Sequence, residues 1–210
     1  MKDAPSPENS DRSCIPLCLH VPEANIILRS SDQVNFRVHK SLLSMSSPFF
    51  EATFTLPQPM APGEELVDGL PVVQLSEDAE LLSCLLSLLY PIPTVIPGSY
   101  QKVFALLAAC QKYEMVLIQE DIREKVKHGR FPAPVVSEAF SAYAIASNLR
   151  LDPEKEHAAR LTLDQPMTLK SLGEELRQFN GSALCDLVRY RVANIVNVSA
   201  NVDETFDEIY

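Results

Sequence analysis

The sequence is poor in the residues that phosphate-binding and catalytic loops need. Only 6 of its 210 residues are glycine, and none of them lies in a phosphate-loop or nucleophile-elbow arrangement. Basic residues are also few: 18 Lys and Arg stand against 28 Asp and Glu, for a formal net charge of -10. Because binding to a phosphate backbone relies on clustered Lys and Arg, we expect this chain to bind no nucleic acid.

Long apolar runs and a basic leader are missing as well. The densest apolar run, 81–89, spans about half of the roughly 20 residues that a membrane-spanning helix needs, and three prolines interrupt the chain soon after it. The first dozen residues are polar and lack the basic start and apolar stretch of a signal peptide. We therefore expect no membrane span and an intracellular protein, in the cytoplasm or in the nucleus.

The five cysteines are odd in number and irregular in spacing, which favours a reducing compartment. Cys84, Cys110 and Cys185 fall inside apolar helical patterns, where a thiol acts as a small hydrophobic side chain. A second group, Cys14, Cys18 and His20, could begin a metal site, but no further ligand cluster follows at zinc-finger spacing. We therefore expect neither a metal nor a cofactor.

The first half of the chain alternates between strand and helix patterns. After a leader at 1–22, apolar alternation over 26–38 around a polar turn predicts a β hairpin with one buried face. From Lys40 the period becomes helical, and the helix breaks where Ser47 can cap a second helix that begins at Pro48. A stretch rich in proline and glycine, 57–69, predicts an exposed loop.

The remainder predicts one more strand and then helices only. The strand is expected at 70–75, and the helix after it, 79–90, is apolar on nearly all sides and must therefore be the central helix. This order predicts an α+β fold in which a small three-stranded sheet is capped by a helical cluster, followed by an all-helical C-terminal extension. The predicted boundaries are 23–128 for the domain, 132–197 for the extension and 198–210 for an acidic tail.

One segment, NIILRSSDQVNFRVHKSLLSMSSPFF at Asn25 to Phe50, resembles the opening of a BTB/POZ domain. The family pattern is a strand, a turn, a strand with Phe before a His-Lys or His-Arg pair, a Leu-Leu helix, and Ser-Pro before aromatic residues. The matching residues here are Phe36, His39, Lys40, Leu42, Leu43, Ser47, Pro48, Phe49 and Phe50. The resemblance covers about 25–128 and implies a non-enzymatic protein–protein interaction module, acting as a scaffold or adaptor.

Several short sequence motifs of this chain resemble those of a particular group of BTB/POZ proteins. The strings LRSSD, FRVHK, LPQP and DGLPVV are similar to those of the BTB proteins abundant in mushroom-forming fungi. The helical segment at 134–197 resembles the extension that those proteins carry.

The resemblance also implies a surface and a pocket. Family dimers suggest that Leu42, Leu43 and Met45 on the first helix form an apolar surface for a second copy. The family's charged pocket would lie at Asn25 and Lys40. BTB domains usually have Asp at the first of these positions, and an asparagine can bond to Lys40 without neutralising it.

Two alternatives remain open at this stage. One is a substrate adaptor of a cullin-RING ubiquitin ligase. Such adaptors often carry a three-residue motif: a hydrophobic residue, any residue, then Glu. At the matching place this chain has Gln58, Pro59 and Met60. The family motif is therefore missing there, and cullin binding is uncertain. The less favoured alternative is a thiol-dependent hydrolase using Cys110 or Cys185, for which the sequence offers no organised base.

Overall fold

The computed structural model describes residues 23–55, 66–168 and 179–207, with 195–207 described by their backbone alone. The chain divides into two compact units. The first comprises the described residues of Met1–Pro97 and Ala109–Arg123, and the second those of Gly98–Ala108 and Glu124–Tyr210.

The first unit contains a sheet of four strands, one more than the sequence predicts. The additional strand lies in the stretch expected to be a loop, where Asp68 and Gly69 both have positive φ, 53° and 77°. Such a two-residue turn matches the twist of paired strands, and glycine tolerates it readily. The strands are β1 (Ile26–Arg29), β2 (Asn35–Val38), β3 (Leu66–Val67) and β4 (Leu70–Gln74), in the order β2-β1-β4-β3.

Strand β1 is interior to this sheet. It pairs antiparallel with β2, where Leu28 faces Phe36, and parallel with β4, where Leu28 faces Val73. The parallel pairing requires a crossover, which the chain between β1 and β4 provides. The predicted single buried face holds for β2 but is wrong for β1, because Ile26, Ile27 and Leu28 are all buried.

The helices that follow in the chain come in the predicted order. Helix α3 contains a run of buried residues at 82–87, which confirms it as a central helix of this unit. Its N-terminus is capped twice, because Asp32 accepts a hydrogen bond from the Ala79 N–H at 2.9 Å and Asp78 accepts one from the Leu81 N–H at 2.8 Å. The helices are α1 (Lys40–Ser46), α2 (Pro48–Thr55), α3 (Ala79–Leu89), α4 (Tyr100–Lys112) and α5 (Val116–Lys127).

The described elements of the second unit beyond α5 are helical, as predicted. They are a 3-10 turn (Val136–Glu138), α6 (Ala139–Asn148), α7 (Asp152–Leu161), a 3-10 turn (Thr162–Asp164) and α8 (Gly181–Asp207). Helices α6 and α7 pack on each other, and both contact α8. Residues 169–178 of the predicted helical extension lie outside the described residues.

Helix α8 is longer than the sequence predicts. Its backbone continues to Asp207, through ten residues that we expected to form a separate acidic tail. Among the described helices, α8 included, none has both the length and the apolar character needed to cross a bilayer.

Candidate interaction surface

Helix α1 holds the three residues predicted to form an apolar surface, and they differ in exposure. Met45 is 85% exposed, whereas Leu43 is only 1% exposed. Leu42 is half-buried between these extremes. Leu43 therefore belongs to the core of the unit and not to its outer face, because its position on α1 points it inward. The surface that α1 offers consists of Met45 and part of Leu42.

The start of α1 is fixed by two neighbouring segments. Asn25, one residue before β1, accepts a hydrogen bond from the Lys40 backbone N–H at 2.8 Å and donates its own N–H to the Val38 carbonyl at 3.1 Å. The His39 N–H donates to the Tyr90 hydroxyl at 2.9 Å, and the His39 ring nitrogen Nδ1 lies 3.2 Å from the same oxygen. His39 is thus a structural residue at a strand-to-helix junction.

The Lys40 side chain has an aromatic partner. Its ammonium lies 5.6 Å from the centre of the Phe54 ring, within the range in which a cation is attracted to an aromatic face. Phe54 in turn stacks on Phe50, with ring centres 5.7 Å apart. Among the residues that the structure describes, no carboxylate forms an ion pair with Lys40, and its charge is instead met by an aromatic ring.

The end of α1 is fixed by Ser47, as its predicted capping role requires. The Ser47 hydroxyl accepts a hydrogen bond from the Phe50 N–H at 3.1 Å and donates to the Tyr113 carbonyl at 2.5 Å. Ser47 is fully buried, so both bonds form away from water, where leaving either group unpaired would be costly. The junction between α1 and α2 is therefore tied to the end of α4.

A buried polar cluster lies behind this junction. The Tyr113 hydroxyl donates to the Glu77 carboxylate, and the Lys112 ammonium donates to the same carboxylate at 2.9 Å. Burial pushes the pKa of Glu77 upward, but the hydrogen bonds from Tyr113 and Lys112 outweigh it and leave that pKa below its ordinary value of 4.5. Burial, reinforced by the Glu77 hydrogen bond and charge, raises the pKa of Tyr113.

Aromatic stacking joins this cluster to α2. The Phe50 ring stacks on Tyr113 with centres 5.0 Å apart, and the Phe49 ring lies 5.5 Å from Tyr113. Sequence reasoning found Phe49 and Phe50 but missed Tyr113, Glu77 and Tyr90. Their partners are separated from them by 36 to 66 positions along the chain, and only the fold brings them together.

The candidate reactive residues are poorly suited to chemistry. Burial raises the pKa of the Cys110 thiol to about 12, with Arg123 acting weakly in the opposite direction, so the thiolate that a nucleophile requires is scarce. Cys84 is buried too, whereas Cys185 is exposed on α8 and is not the buried residue that its pattern suggests.

The described ranges contain no group of three His, Cys, Asp or Glu side chains placed to hold a metal ion. The possible metal ligands Cys14, Cys18 and His20 lie outside those ranges. The segment compared with the cullin motif, from Gln58 to Met60, lies outside them too.

A family model described as the BTB/POZ domain matches residues 22–130, just over half of the chain. The chain belongs to the BTB/POZ family. BTB/POZ domains are protein–protein interaction modules and generally not enzymes, so the features of α1 belong to a domain that binds other proteins. The α+β fold and the helical C-terminal part agree with the prediction, apart from the fourth strand.

Solved BTB/POZ structures include one similar to this chain. The BTB domain of zebrafish PATZ1 is 19% identical, covers 50% of this chain and 76% of its own, and has a TM-score of 0.37. No curated protein matches the chain significantly.

Proposed function

We propose that this BTB/POZ protein is a self-associating intracellular scaffold or adaptor without enzymatic activity, and that two copies meet at α1. The observation that carries the proposal is the 85% exposure of Met45 on this helix. Methionine is apolar and adapts its shape to a partner. Burying such a side chain fully contributes roughly 1.5 to 3 kcal/mol, which favours a protein partner over water.

The hydrogen bonds around α1 support this proposal because they fix the helix before any partner binds. Asn25 and Tyr90 hold its first residues, and Ser47 holds its last turn. A surface that is already ordered loses little conformational entropy on association. The α1 face therefore has the rigidity that a binding surface benefits from.

The contacts of Asn25 and Lys40, at the positions of the family's charged pocket, support a pocket with a different arrangement of polar groups. With asparagine at 25, its side-chain oxygen is used by the Lys40 backbone, while the Lys40 ammonium lies over Phe54. We infer that Lys40 remains at the water-exposed rim of the dimer, since a cation buried without a carboxylate is costly. Self-association through α1 should then depend only weakly on salt.

The finer assignments are part of the same proposal. The strings that resemble those of BTB proteins in mushroom-forming fungi support assigning the chain to that group. We assign 23–128 to the BTB/POZ domain, 132–197 to the helical extension, and 198–210 to an acidic segment that includes the end of α8.

Site-specific photo-crosslinking tests whether α1 is the contact. Met45 is replaced by the photoreactive residue benzoylphenylalanine, and a mixture of ¹⁴N- and ¹⁵N-labelled protein is irradiated at about 50 µM, a concentration that populates weak complexes. We expect crosslinked peptides of mixed isotope composition that join position 45 to α1 of another copy. The matched control carries the same residue at Gln111, which is exposed on α4, and should give far less of this product. Absence of mixed-isotope products from position 45 would refute the proposal.

A further inference from the structure

Helix α8 carries a second apolar surface, separate from α1. Val188 is 41% exposed and Val192 is 56% exposed, and Cys185 is exposed too. Within 181–194, where the side chains of this helix are described, the buried residues lie on another face, as Ala183, Leu187 and Arg191. The exposed residues are therefore not the ones that attach α8 to its own unit.

The spacing of these residues continues through the rest of α8. Starting at Cys185, steps of three and four positions alternate without interruption, and six of the seven positions reached are apolar or cysteine. An apolar repeat of this kind is typical of helices that pair along a coiled-coil seam. We call these positions the α8 seam: Cys185, Val188, Val192, Ile195, Ser199, Val202 and Phe206.

The length of α8 is sufficient for such pairing. The helix has 27 residues, and the seam spans about three heptad repeats, near the minimum for a specific coiled coil. The polar member, Ser199, lies in the second half of the seam. A single polar position within an apolar seam helps to select one register.

The charges on α8 favour a second copy in the opposite direction. In its first half, 181–194, one acid (Asp186) and two bases (Arg189 and Arg191) give a net charge of +1. In its second half, 195–207, three acids and no base give -3. Two parallel copies would bring the two acidic halves together, whereas two antiparallel copies place each acidic half beside a half whose exposed charges, Asp186 and Arg189, balance each other.

The helix dipole adds to this preference. The three acids lie near the C-terminus of α8, as Asp203, Glu204 and Asp207, and the last turn contains no basic residue. Negative charge is unfavourable at a helix C-terminus and favourable at an N-terminus. In an antiparallel pair each acidic end lies beside the N-terminal half of the other helix and away from its C-terminus.

We propose that α8 pairs with α8 of a second copy as an antiparallel two-stranded coiled coil through the α8 seam. In the proposed register, position 188 lies opposite position 206 of the second copy, and position 192 lies opposite its position 202. The contact is independent of α1, so the protein has two self-complementary surfaces.

Sedimentation equilibrium at about 50 µM tests the proposal in protein carrying Met45→Glu, which removes the α1 contact. We expect this variant to remain a dimer, and Met45→Glu with Val192→Glu to be a monomer. The matched control adds the same charge one residue later, as Ala193→Glu at another exposed position, and should remain a dimer. Val188→Glu should act like Val192→Glu, and circular dichroism checks that each variant keeps its helices.

The outcomes separate this proposal from the α1 contact. A monomeric Met45→Glu variant would overturn pairing through α8, and so would equal dissociation by Val192→Glu and Ala193→Glu. If α1 does not self-associate, unmodified protein and Met45→Glu are equally dimeric, and Val192→Glu alone is a monomer. That result would remove the α1 contact and leave the α8 contact intact.

Disulfide trapping tests the direction of the pair. In Met45→Glu protein with Cys185→Ser, the substitutions Val188→Cys and Phe206→Cys place thiols at the proposed contact. Oxidation should join position 188 of one copy to position 206 of the other, identified by mass spectrometry of the linked peptides. In protein that keeps Cys185, the two Cys185 residues would lie roughly 36 Å apart along an antiparallel pair and should not crosslink. A 188–188 or 185–185 disulfide would overturn the antiparallel arrangement.

Discussion

Helices α1 and α8 both expose apolar side chains, but they are built differently. Helix α1 has seven residues, and its position depends on hydrogen bonds that Asn25 and Tyr90 accept and that Ser47 donates. Helix α8 has 27 residues and carries its apolar pattern in its own sequence. The α1 surface therefore depends on long-range packing of its unit, whereas the α8 surface depends on a local repeat. Perturbations of the first unit should therefore affect α1 first.

Thiol reactivity should give the largest difference between the two regions. Cys110 is buried, and its pKa is raised from an ordinary value of 9.0 to about 12, so its thiolate fraction is about a thousandfold lower. Iodoacetamide labelling followed by peptide mass spectrometry should show Cys110 reacting at least about a thousandfold more slowly than a free thiol. Exposed Cys185 should be labelled far sooner. Rapid labelling of Cys110 in folded protein would contradict its burial and revive the hydrolase alternative.

Removing Phe50 should damage the support of α1 more than any other change considered below. Phe50 is 1% exposed and stacks on Tyr113 and Phe54, so Phe50→Ala should lower the free energy of unfolding by about 3 to 5 kcal/mol. Phe49→Ala is the control, because Phe49 is 40% exposed and should cost much less. Urea titration of both variants measures the difference, and equal losses would show that the aromatic stack is unimportant.

The buried Glu77 cluster should make the first unit sensitive to acid. Because the pKa of Glu77 is lowered in the folded protein, its stabilising effect is complete above the ordinary value of 4.5 and is lost as the pH falls through the folded value. Tyr113→Phe removes one hydrogen bond to Glu77 and should cost about 1 to 3 kcal/mol at pH 7. It should also make the loss of stability between pH 7 and pH 3 shallower, as measured by urea midpoints. A steeper loss would contradict the sign of the shift.

The smallest effect concerns Asn25. Asn25→Ala removes the acceptor for the Lys40 N–H and should lower the free energy of unfolding by about 1 kcal/mol. Asn25→Asp keeps an acceptor and restores the carboxylate common in the family, so it should be at least as stable as the unmodified protein. Thermal unfolding of the three proteins checks this order. If Asn25→Ala matches the unmodified protein, the bond does not hold α1.

The sequence predicts the parts of the fold that depend on local patterns. The period change at Lys40, the cap at Ser47 and the apolar helix α3 follow from residue spacing and capping chemistry, and the structure confirms each of them. The fourth strand could have been predicted as well. Asp68-Gly69 between apolar residues is a strong hairpin signal, but the prolines and acids before it suggested a loop.

Other features could not have been read from spacing. Leu43 and Met45 lie on roughly opposite faces of α1. Which of the two faces is buried depends on what packs against the helix, and the spacing of the residues does not show this. The bonds of His39 to Tyr90 and of Tyr113 to Glu77 join residues distant in sequence. The domain boundaries and the α1 surface itself remain predictions.

Self-association through α1 can be tested separately from pairing through α8. Sedimentation equilibrium at about 50 µM is measured for Val192→Glu, which removes the α8 contact, and for the same protein with Met45→Glu added. We predict a dimer for the first and a monomer for the second, while Gln111→Glu in the same background remains a dimer. A monomer for Val192→Glu alone, or a dimer that Met45→Glu leaves unchanged, would contradict self-association through α1.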